Sequence, residues 1–411
     1  MSSSQRPLLT PQYIFRFACI GSECEDTCCK VWRVQIDEVT YKRYRRLRHP
    51  ELRPLLDKAV KRNRSNPTPR GYAKLKLDEN GFCPLLSPEG LCRIHSELGP
   101  EYLATLCAVY PRVTRIVDGI LERSLTLSCP EAARTVLLNP DPMEFEHARE
   151  SADVRNDIIG ELDTSDIKFA RRLERHFWEV RSFVIELLQN RLYAVWERLV
   201  LLGLFMQKLE QLKGEGFQST KELIRRYHTA IDDGTLRESL ASVPAQTTMQ
   251  IKFTKELIDE RFRRPIGHKV YLECLAQVAA GLEITRDATD EAIGRRYQTA
   301  YTEYYAPFMS EREYIFENYL VNYVFKNAFP LGPRGPFGEY VMLVVHYALV
   351  KMLLIGMAAF HKGLNEELVI KLVYSFSRVI EHSPAYLAQT YKMIEESGLA
   401  TMPYMAILIK N

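Results

Sequence analysis

The chain has 411 residues, 46% of them hydrophobic, which is enough for two or three domains with substantial cores. Its formal net charge of +3 excludes a polyelectrolyte that binds its partners through overall charge alone. The segment Met1 to Gln12 is polar and has no basic region followed by an apolar run. We therefore expect no signal peptide and a cytoplasmic protein in which structural disulfides are rare.

One segment near the N-terminus is strongly basic. From Lys42 to Lys76 the chain carries thirteen lysines and arginines against two acids, Glu51 and Asp57. Such a run is typical of a solvated helical face, and it alternatively attracts an acidic protein or a nucleic acid. Because the basic residues are not interleaved with the aromatic residues of a stacking surface, we expect no nucleic-acid partner.

The first third of the chain predicts short elements separated by turns. Helices are indicated at 38–48 and 102–109, and the alternating run 72–77 predicts one strand of a small hairpin that turns at 78–81. The run Asn139-Pro140-Asp141-Pro142 ends any helix. We therefore predict a cysteine-rich, loop-rich metal-binding domain at 1–142 and an irregular all-α domain at 143–411.

Helical periodicity dominates the second domain, and no strand alternation is evident after residue 150. Ser219 and Glu222 form a candidate capping box at the start of one helix. The other helices are predicted at 165–189, 192–212, 251–260, 269–282, 290–305, 311–327, 340–360, 365–381 and 384–397. The predicted fold class is mainly α.

The segment 340–360 has the length of a membrane span, but it carries His346 and Lys351. A lysine in the middle of a bilayer costs about 2.5–3.5 kcal/mol on insertion scales. The segment therefore indicates a buried core helix, and peripheral membrane association stays open as an alternative.

The cysteines are crowded into the first third of the chain, since eight precede residue 130 and only Cys274 follows. Clustered thiols in a cytosolic protein indicate a metal site, because thiolates bind iron–sulfur clusters and zinc. His95, close to Cys92, keeps zinc open. Of the adjacent Cys28 and Cys29, we expect one to bind the metal and the other to pack or to serve a second position. Cys129 and Cys274 fit buried free thiols. The candidate metal ligands are Cys19, Cys24, Cys28, Cys29, Cys83, Cys92 and Cys107.

Several of these motifs resemble the flagellin lysine-N-methylase family, within the group named for a CxxCxxCC metal-chelating cluster. The gaps in this chain are four and three residues rather than two, so which cysteines hold the metal stays open. The resemblance implies transfer of methyl groups from S-adenosylmethionine (SAM) to lysine side chains of flagellin, by an enzyme that carries a 4Fe-4S cluster. The motifs are Cys19 to Cys29, Trp32-Arg33-Val34, Cys83 to Leu86, Leu91 to Ile94, Cys107 to Arg112, Leu125 to Arg134 and Phe316 to Tyr323.

Lysine attacks a methyl group only as a neutral amine, so such a site must desolvate the amine or supply a base. Polar residues inside an otherwise apolar helix are difficult to bury without a purpose, and we predict that the catalytic residues are Glu317, Asn318, Tyr319 and Asn322. A second aromatic stripe, Tyr297, Tyr301, Tyr304 and Phe308, is expected to be core. No glycine-rich loop of the kind that follows a strand in Rossmann-type sites is present, so the SAM-binding residues stay unassigned. The alternative function is a non-catalytic metal-binding protein whose helical domain docks a partner.

Overall fold

The computed structural model describes residues 5–30, 34–241 and 243–411. Trp32 and Arg33, part of the motif set above, lie outside the described residues. The chain forms two compact units: the first extends to Ala132 and includes Phe145–Glu161, and the second comprises Ala133–Glu144 and Leu162–Asn411. The predicted limit at residue 142 thus lies inside a short segment of the second unit, after which the chain returns to the first unit.

The first unit contains a five-stranded sheet. Strand β1 pairs parallel with β6 and antiparallel with β7, and β5 and β6 form a hairpin. The hairpin turns at Asp118-Gly119, where both residues have positive φ, as a two-residue turn between twisted strands requires. The strands, in the spatial order β7-β1-β6-β5-β8, are β1 (Gln5–Pro11), β5 (Arg112–Val117), β6 (Ile120–Leu125), β7 (Phe145–Ser151) and β8 (Ile158–Leu162).

A second, three-stranded sheet has the order β2-β4-β3, with β2 at Gln35–Ile36, β3 at Val60–Arg62 and β4 at Ala73–Leu75. The predicted strand at 72–77 is therefore present, but β4 pairs with β2 and β3 and not with the chain that follows the turn. Its buried face joins a compact core with Tyr44, Leu52 and Leu56, and Cys29 and Cys92 pack against that core.

Short helices complete the first unit. Asp37 caps α2 by accepting a hydrogen bond from the Thr40 N–H at 2.8 Å, which satisfies one of the free N–H groups at a helix start. The helices are α1 (Tyr13–Arg16), α2 (Glu38–Arg46), α3 (Leu52–Ala59), α4 (Arg93–Leu98), α5 (Thr105–Val109) and α6 (Pro130–Leu137), the last of which leads into the second unit.

Every α-helix predicted in the second domain is present in the second unit in at least part of its predicted range, which with the helices above confirms the mainly α class. The structure adds three separate helices, at Arg237–Ala241, Ala306–Met309 and Met402–Ile409. The helices are α7 (Phe177–Gln189), α8 (Val195–Gln211), α9 (Thr220–Asp232), α10 (Arg237–Ala241), α11 (Thr247–Phe262), α12 (Lys269–Gly281), α13 (Asp290–Ala300), α14 (Ala306–Met309), α15 (Tyr314–Asn327), α16 (Gly335–His361), α17 (Glu366–Phe376), α18 (Pro384–Glu396) and α19 (Met402–Ile409).

Three local expectations were wrong. Strands β7 and β8 occupy part of the range for which only helices were predicted. The predicted helix 165–189 is continuous only from Phe177, because the Asp166 side chain accepts the Lys168 N–H at 3.0 Å and closes a short 3₁₀ turn instead. Ser219 does precede α9, but its side chain makes no capping hydrogen bond.

Helix α16 is the central element of the second unit and packs against α8, α12, α17 and α19. Among the described residues it is the one helix long and apolar enough to cross a membrane, and its apolar stretch is buried entirely within the protein. Close approach of α12 depends on Gly281, since a Cβ there would lie 2.4 Å from the carbonyl oxygen of Gly356. The core-helix prediction for this segment is thus consistent with its burial.

Candidate functional site

The fold of the first unit brings distant cysteines together. The Cys83 N–H donates to the Cys29 carbonyl at 2.8 Å, and a β-bridge joins Lys30 to Phe82. A second bridge joins Leu86 to Cys92. These backbone contacts place the loop that contains Cys28 and Cys29 beside the segment from Cys83 to Cys92.

Four thiols lie near one another. The Cys29 thiol is within hydrogen-bonding range of those of Cys28, Cys83 and Cys92. Cys107, in α5, lies close enough to Cys92 and Cys28 for their charges to act on it. We refer to Cys28, Cys29, Cys83, Cys92 and Cys107 as the thiol cluster.

The remaining cysteines of the first unit lie further out. Cys129 is partly buried and lies within electrostatic range of Cys24 and Cys28. Cys19 is exposed and lies within electrostatic range of Arg112. Cys274 belongs to α12 of the second unit, where it is buried. All nine cysteines lie within the described residues, and none of them forms a disulfide.

The thiols of the cluster differ in acidity. The hydrogen bond from Cys29, which outweighs burial, and the backbone N–H groups of His95 and Ile94 lower the pKa of Cys92 to about 6. Cys107 retains an exposed edge, yet desolvation, together with the neighbouring Cys92 and Cys28, raises its pKa to about 12. One thiolate is thus available at neutral pH, and its charge opposes ionisation of the others.

This donor chemistry fits a thiophilic metal, because a bound cation would remove the repulsion that keeps neighbouring thiols protonated. Over the described ranges, however, no group of three or more His, Cys, Asp or Glu side chains is arranged so that it could hold a metal ion. The thiols are therefore assembled without a preformed ligand geometry. The ligand set predicted from the sequence stays a prediction.

In the second unit, Glu317 forms ion pairs with two arginines. Its carboxylate, 1% exposed, accepts hydrogen bonds from Arg191, at 2.8 to 3.2 Å, and from Arg198 Nη1 at 2.8 Å. The Arg198 side chain is itself 3% exposed and also donates to the backbone carbonyls of Tyr193 and Leu188. This arrangement neutralises the carboxylate and ties α15 to α7 and α8.

The other three predicted catalytic residues are also buried on α15, but they point to different neighbours. Asn318 donates to the backbone carbonyls of Leu137 and Asn139 at 3.3 and 2.8 Å. Tyr319 donates to Glu381 at 3.0 Å. Asn322 also interacts with a neighbouring group. Glu317 and Tyr319 thus bind separate polar groups, and whether any of the four takes part in chemistry stays a prediction.

The second unit also contains a buried amine among tyrosines. Lys351, in the middle of α16, donates to the carbonyl of Ile409 at 3.0 Å. Its Nζ lies 5.8 Å from the ring centre of Tyr301 and 5.6 Å from that of Tyr347. Tyr305 stacks on Tyr301, and these two residues bound a one-turn π-helix, a distortion that recurs at functional sites.

Burial, opposed by the charge of Glu313, lowers the pKa of Lys351 to about 7. The interior of this unit therefore holds an amine that is partly neutral at physiological pH. The sequence pointed to Tyr297, Tyr301 and Tyr304 as one stripe. For Lys351 the sequence indicated only that a membrane span is disfavoured, because local sequence patterns do not predict that α13 and α16 contact each other.

Comparisons with known proteins agree with the resemblance noted above. Residues 181–408 match the family described as FliB lysine N-methylase C-terminal domain. Proteins called Lysine-N-methylase from Salmonella typhimurium and Salmonella choleraesuis are each 22% identical over 402 residues, covering 94% of this chain and 94% of each relative. A protein called Flagellar biosynthetic protein FliU from Salmonella muenchen is 32% identical over 137 residues, which cover 32% of this chain and 78% of that protein. No solved structure matches.

Proposed function

Because this chain belongs to the FliB lysine N-methylase family, we propose that it is a protein lysine methyltransferase and that flagellin is its substrate. The observation that carries the proposal is the alignment with a lysine-N-methylase along 94% of both chains. The relative named for flagellar biosynthesis favours a flagellar substrate. None of the cysteines forms a disulfide, which is consistent with the reducing, cytoplasmic location that we propose.

The chemistry requires the lysine nitrogen of the substrate to reach an electrophilic methyl group as a neutral amine. An unperturbed lysine has a pKa of about 10.4 and is almost fully protonated at neutral pH. Desolvation lowers that pKa, and aromatic rings stabilise the methylammonium product through cation–π contacts. Lys351 of this chain shows the same effect of burial on an amine beside two tyrosine rings, Tyr301 and Tyr347.

SAM is the proposed methyl donor, and it would supply a methyl group activated by positively charged sulfur. In the described part of the second unit, no glycine-rich turn joins a strand to a helix. We therefore assign no residue to the donor. Glu317, Asn318, Tyr319 and Asn322 stay the proposed catalytic residues, and the variant developed in the Discussion separates a catalytic from a stabilising role for the first of them.

A 4Fe-4S cluster is the proposed metal group, with zinc as the alternative. Its ligands would come from the thiol cluster and from Cys19 and Cys24, the full set predicted from the sequence. Binding would connect three segments of the first unit that share few regular elements, and metal-binding energy would then contribute directly to folding.

A non-catalytic metal-binding protein is the second candidate. The thiol cluster favours it, because such a cluster suffices for metal binding without any second substrate. Titration calorimetry with SAM discriminates the two functions. A methyltransferase binds the donor with a defined stoichiometry, whereas a metal-binding protein that only docks a partner gives no heat of binding.

The direct test incubates the purified, metal-loaded protein with monomeric flagellin and SAM that carries an isotope label in its methyl group. We expect label on flagellin lysines, located by peptide mass spectrometry, and none on flagellin whose lysines have been acetylated beforehand. Unlabelled flagellin, in a reaction where the protein binds SAM, would refute flagellin as the substrate.

A further inference from the structure

The three-stranded sheet of the first unit has one buried and one charged face. Ala73 and Leu75 of β4 belong to the core, and they alternate with the exposed Lys74 and with Lys76, which follows the strand directly and is also exposed. Across the ladder, Lys61 of β3 is the direct partner of Lys74. We call Lys61, Lys74 and Lys76 the lysine face.

The acids of the surrounding basic segment do not neutralise this face. Glu51 forms an ion pair with Arg93 at 2.6 Å, and Asp57 forms ion pairs with Arg45 and Arg53 at 2.6 and 2.8 Å. Lys61 donates only to a backbone carbonyl, that of Asp57, at 3.3 Å. In the described part of the chain, none of the three lysines has a carboxylate partner.

Stability of the fold does not account for the arrangement. Residues directly opposite one another in an antiparallel pair have Cβ atoms about 5 Å apart, and like charges there are destabilising. The buried face of the same strands supplies the packing. A row of unneutralised charge on a rigid sheet instead presents a positive surface to an incoming molecule.

We propose that the lysine face docks an acidic stretch of the protein substrate, an inference that rests on the proposed function. A nucleic acid fits less well because β2, β3 and β4, all within the described residues, carry no aromatic side chain for stacking. Tyr72, the nearest candidate, is covered by Arg62 at 4.9 Å and packs on Tyr41. A membrane fits less well because none of the exposed large apolar residues lies on β2, β3 or β4.

The test reverses the face with Lys61→Glu, Lys74→Glu and Lys76→Glu in the full chain. The matched control reverses three exposed lysines of the second unit, Lys213, Lys252 and Lys269, which form no ion pair with the residues that the structure describes. We expect the first variant to raise the KM for flagellin about tenfold at low salt, equivalent to about 1.4 kcal/mol, which three exposed ion pairs can supply. Its kcat and its activity on a short lysine peptide without acidic residues should not change.

The salt dependence provides a second readout, because exposed charge pairs are screened within about 10 Å at 0.1 M salt. The KM of the unaltered protein should rise with salt towards that of the reversed variant. A triple Lys→Gln variant, which avoids new negative charge, should lie between the two. Equal KM values for the reversed and unaltered proteins, with circular dichroism showing both folded, would overturn the inference.

A separate binding measurement keeps the inference distinct from the proposed function. A fluorescein-labelled, glutamate-rich peptide should bind the unaltered protein at low salt and lose affinity for the reversed variant, but not for the control, even if flagellin is not methylated. If the reversed variant keeps the peptide but loses a duplex oligonucleotide or vesicles of anionic lipid, the surface serves a nucleic acid or a membrane and the inference is wrong.

Discussion

Replacement of Glu317 by glutamine distinguishes a stabilising carboxylate from a catalytic one. The carboxylate is 1% exposed and holds two guanidinium groups, of which Arg198 is 3% and Arg191 42% exposed. Glutamine preserves the shape of the side chain but removes the negative charge. Arg198 then remains as a buried cation without a counter-charge.

The magnitude follows from the two arginines. Breaking a buried ion pair by removal of one partner costs about 3–5 kcal/mol, and Arg198 sets this scale. The contribution of Arg191 is small because solvent screens its exposed portion. Since Arg198 keeps the carbonyls of Tyr193 and Leu188 as acceptors, we expect a loss of about 3 kcal/mol, at the lower end of that range.

The assay is urea unfolding followed by tryptophan fluorescence, because Trp178 and Trp196 both lie in helices of the second unit. The variant should unfold at a lower urea midpoint with an unchanged slope. Glu222→Gln is the matched control, since Glu222 also binds two arginines, Arg225 and Arg226, but at the surface of the same unit. That control should leave the midpoint where it is.

The opposite result would refute the reasoning. A Glu317→Gln protein with an unaltered urea midpoint and no methyl transfer would mean that the carboxylate serves the chemistry, as the sequence pattern predicts. A protein that is destabilised but keeps its kcat would assign the residue to the scaffold.

Two further predictions concern the central helix. The pKa of Lys351 is about 7 in the folded protein, below the value of 10.5 for an exposed lysine. Between pH 7 and pH 10.5 the unfolded chain therefore binds more protons than the folded one. The free energy of unfolding should rise with pH across that window, by up to about 5 kcal/mol. Lys351→Met should remove this rise and stabilise the protein at neutral pH and below, and an identical pH profile in both proteins would contradict the burial of a neutralised amine. Gly281→Ala should lower the free energy of unfolding by about 1–3 kcal/mol, because its Cβ would collide with the Gly356 carbonyl. The control Gly160→Ala, whose Cβ meets nothing within 4 Å, should unfold as the unaltered protein does. Equal urea midpoints for both variants would show that α12 can shift.

The helical unit was accessible from sequence because its signals are local. The predicted starts at Lys269, Asp290 and Pro384 coincide with the observed ones, since periodicity and helix-start residues lie within a few positions of each other. The sheets were less accessible. The Asp118-Gly119 turn is a recognisable hairpin signal, but the hairpin was not among the elements predicted above.

Strand β1 illustrates a harder case. Pro7 and Pro11 argue against an interior strand, yet β1 lies between β6 and β7. The structure accommodates the prolines because β1 and β6 pair only at Leu8 and Leu9. That register depends on a partner more than a hundred residues away in the chain, which local sequence patterns do not contain.

The difference between local signals and contacts with distant partners also applies to the candidate site. Crowded cysteines indicated a shared centre, and the structure brings Cys28, Cys83 and Cys92 close to Cys29. Polar residues in an apolar helix indicated that Glu317 was buried for a reason, but its partners are 126 and 119 residues distant. Burial could therefore be predicted, whereas the partner that explains it could not.

The most direct test of the account is the intact mass of flagellin co-expressed with this protein. We predict mass increments in whole methyl units, absent when flagellin is expressed alone, lost with Cys29→Ala and retained with Cys274→Ala, whose cysteine lies in the helical unit. Metal content measured on the same samples should fall only in the Cys29 variant. An unchanged flagellin mass beside folded, metal-loaded protein would contradict flagellin methylation, and methylation that persists in a metal-free Cys29 variant would separate the activity from the thiol cluster.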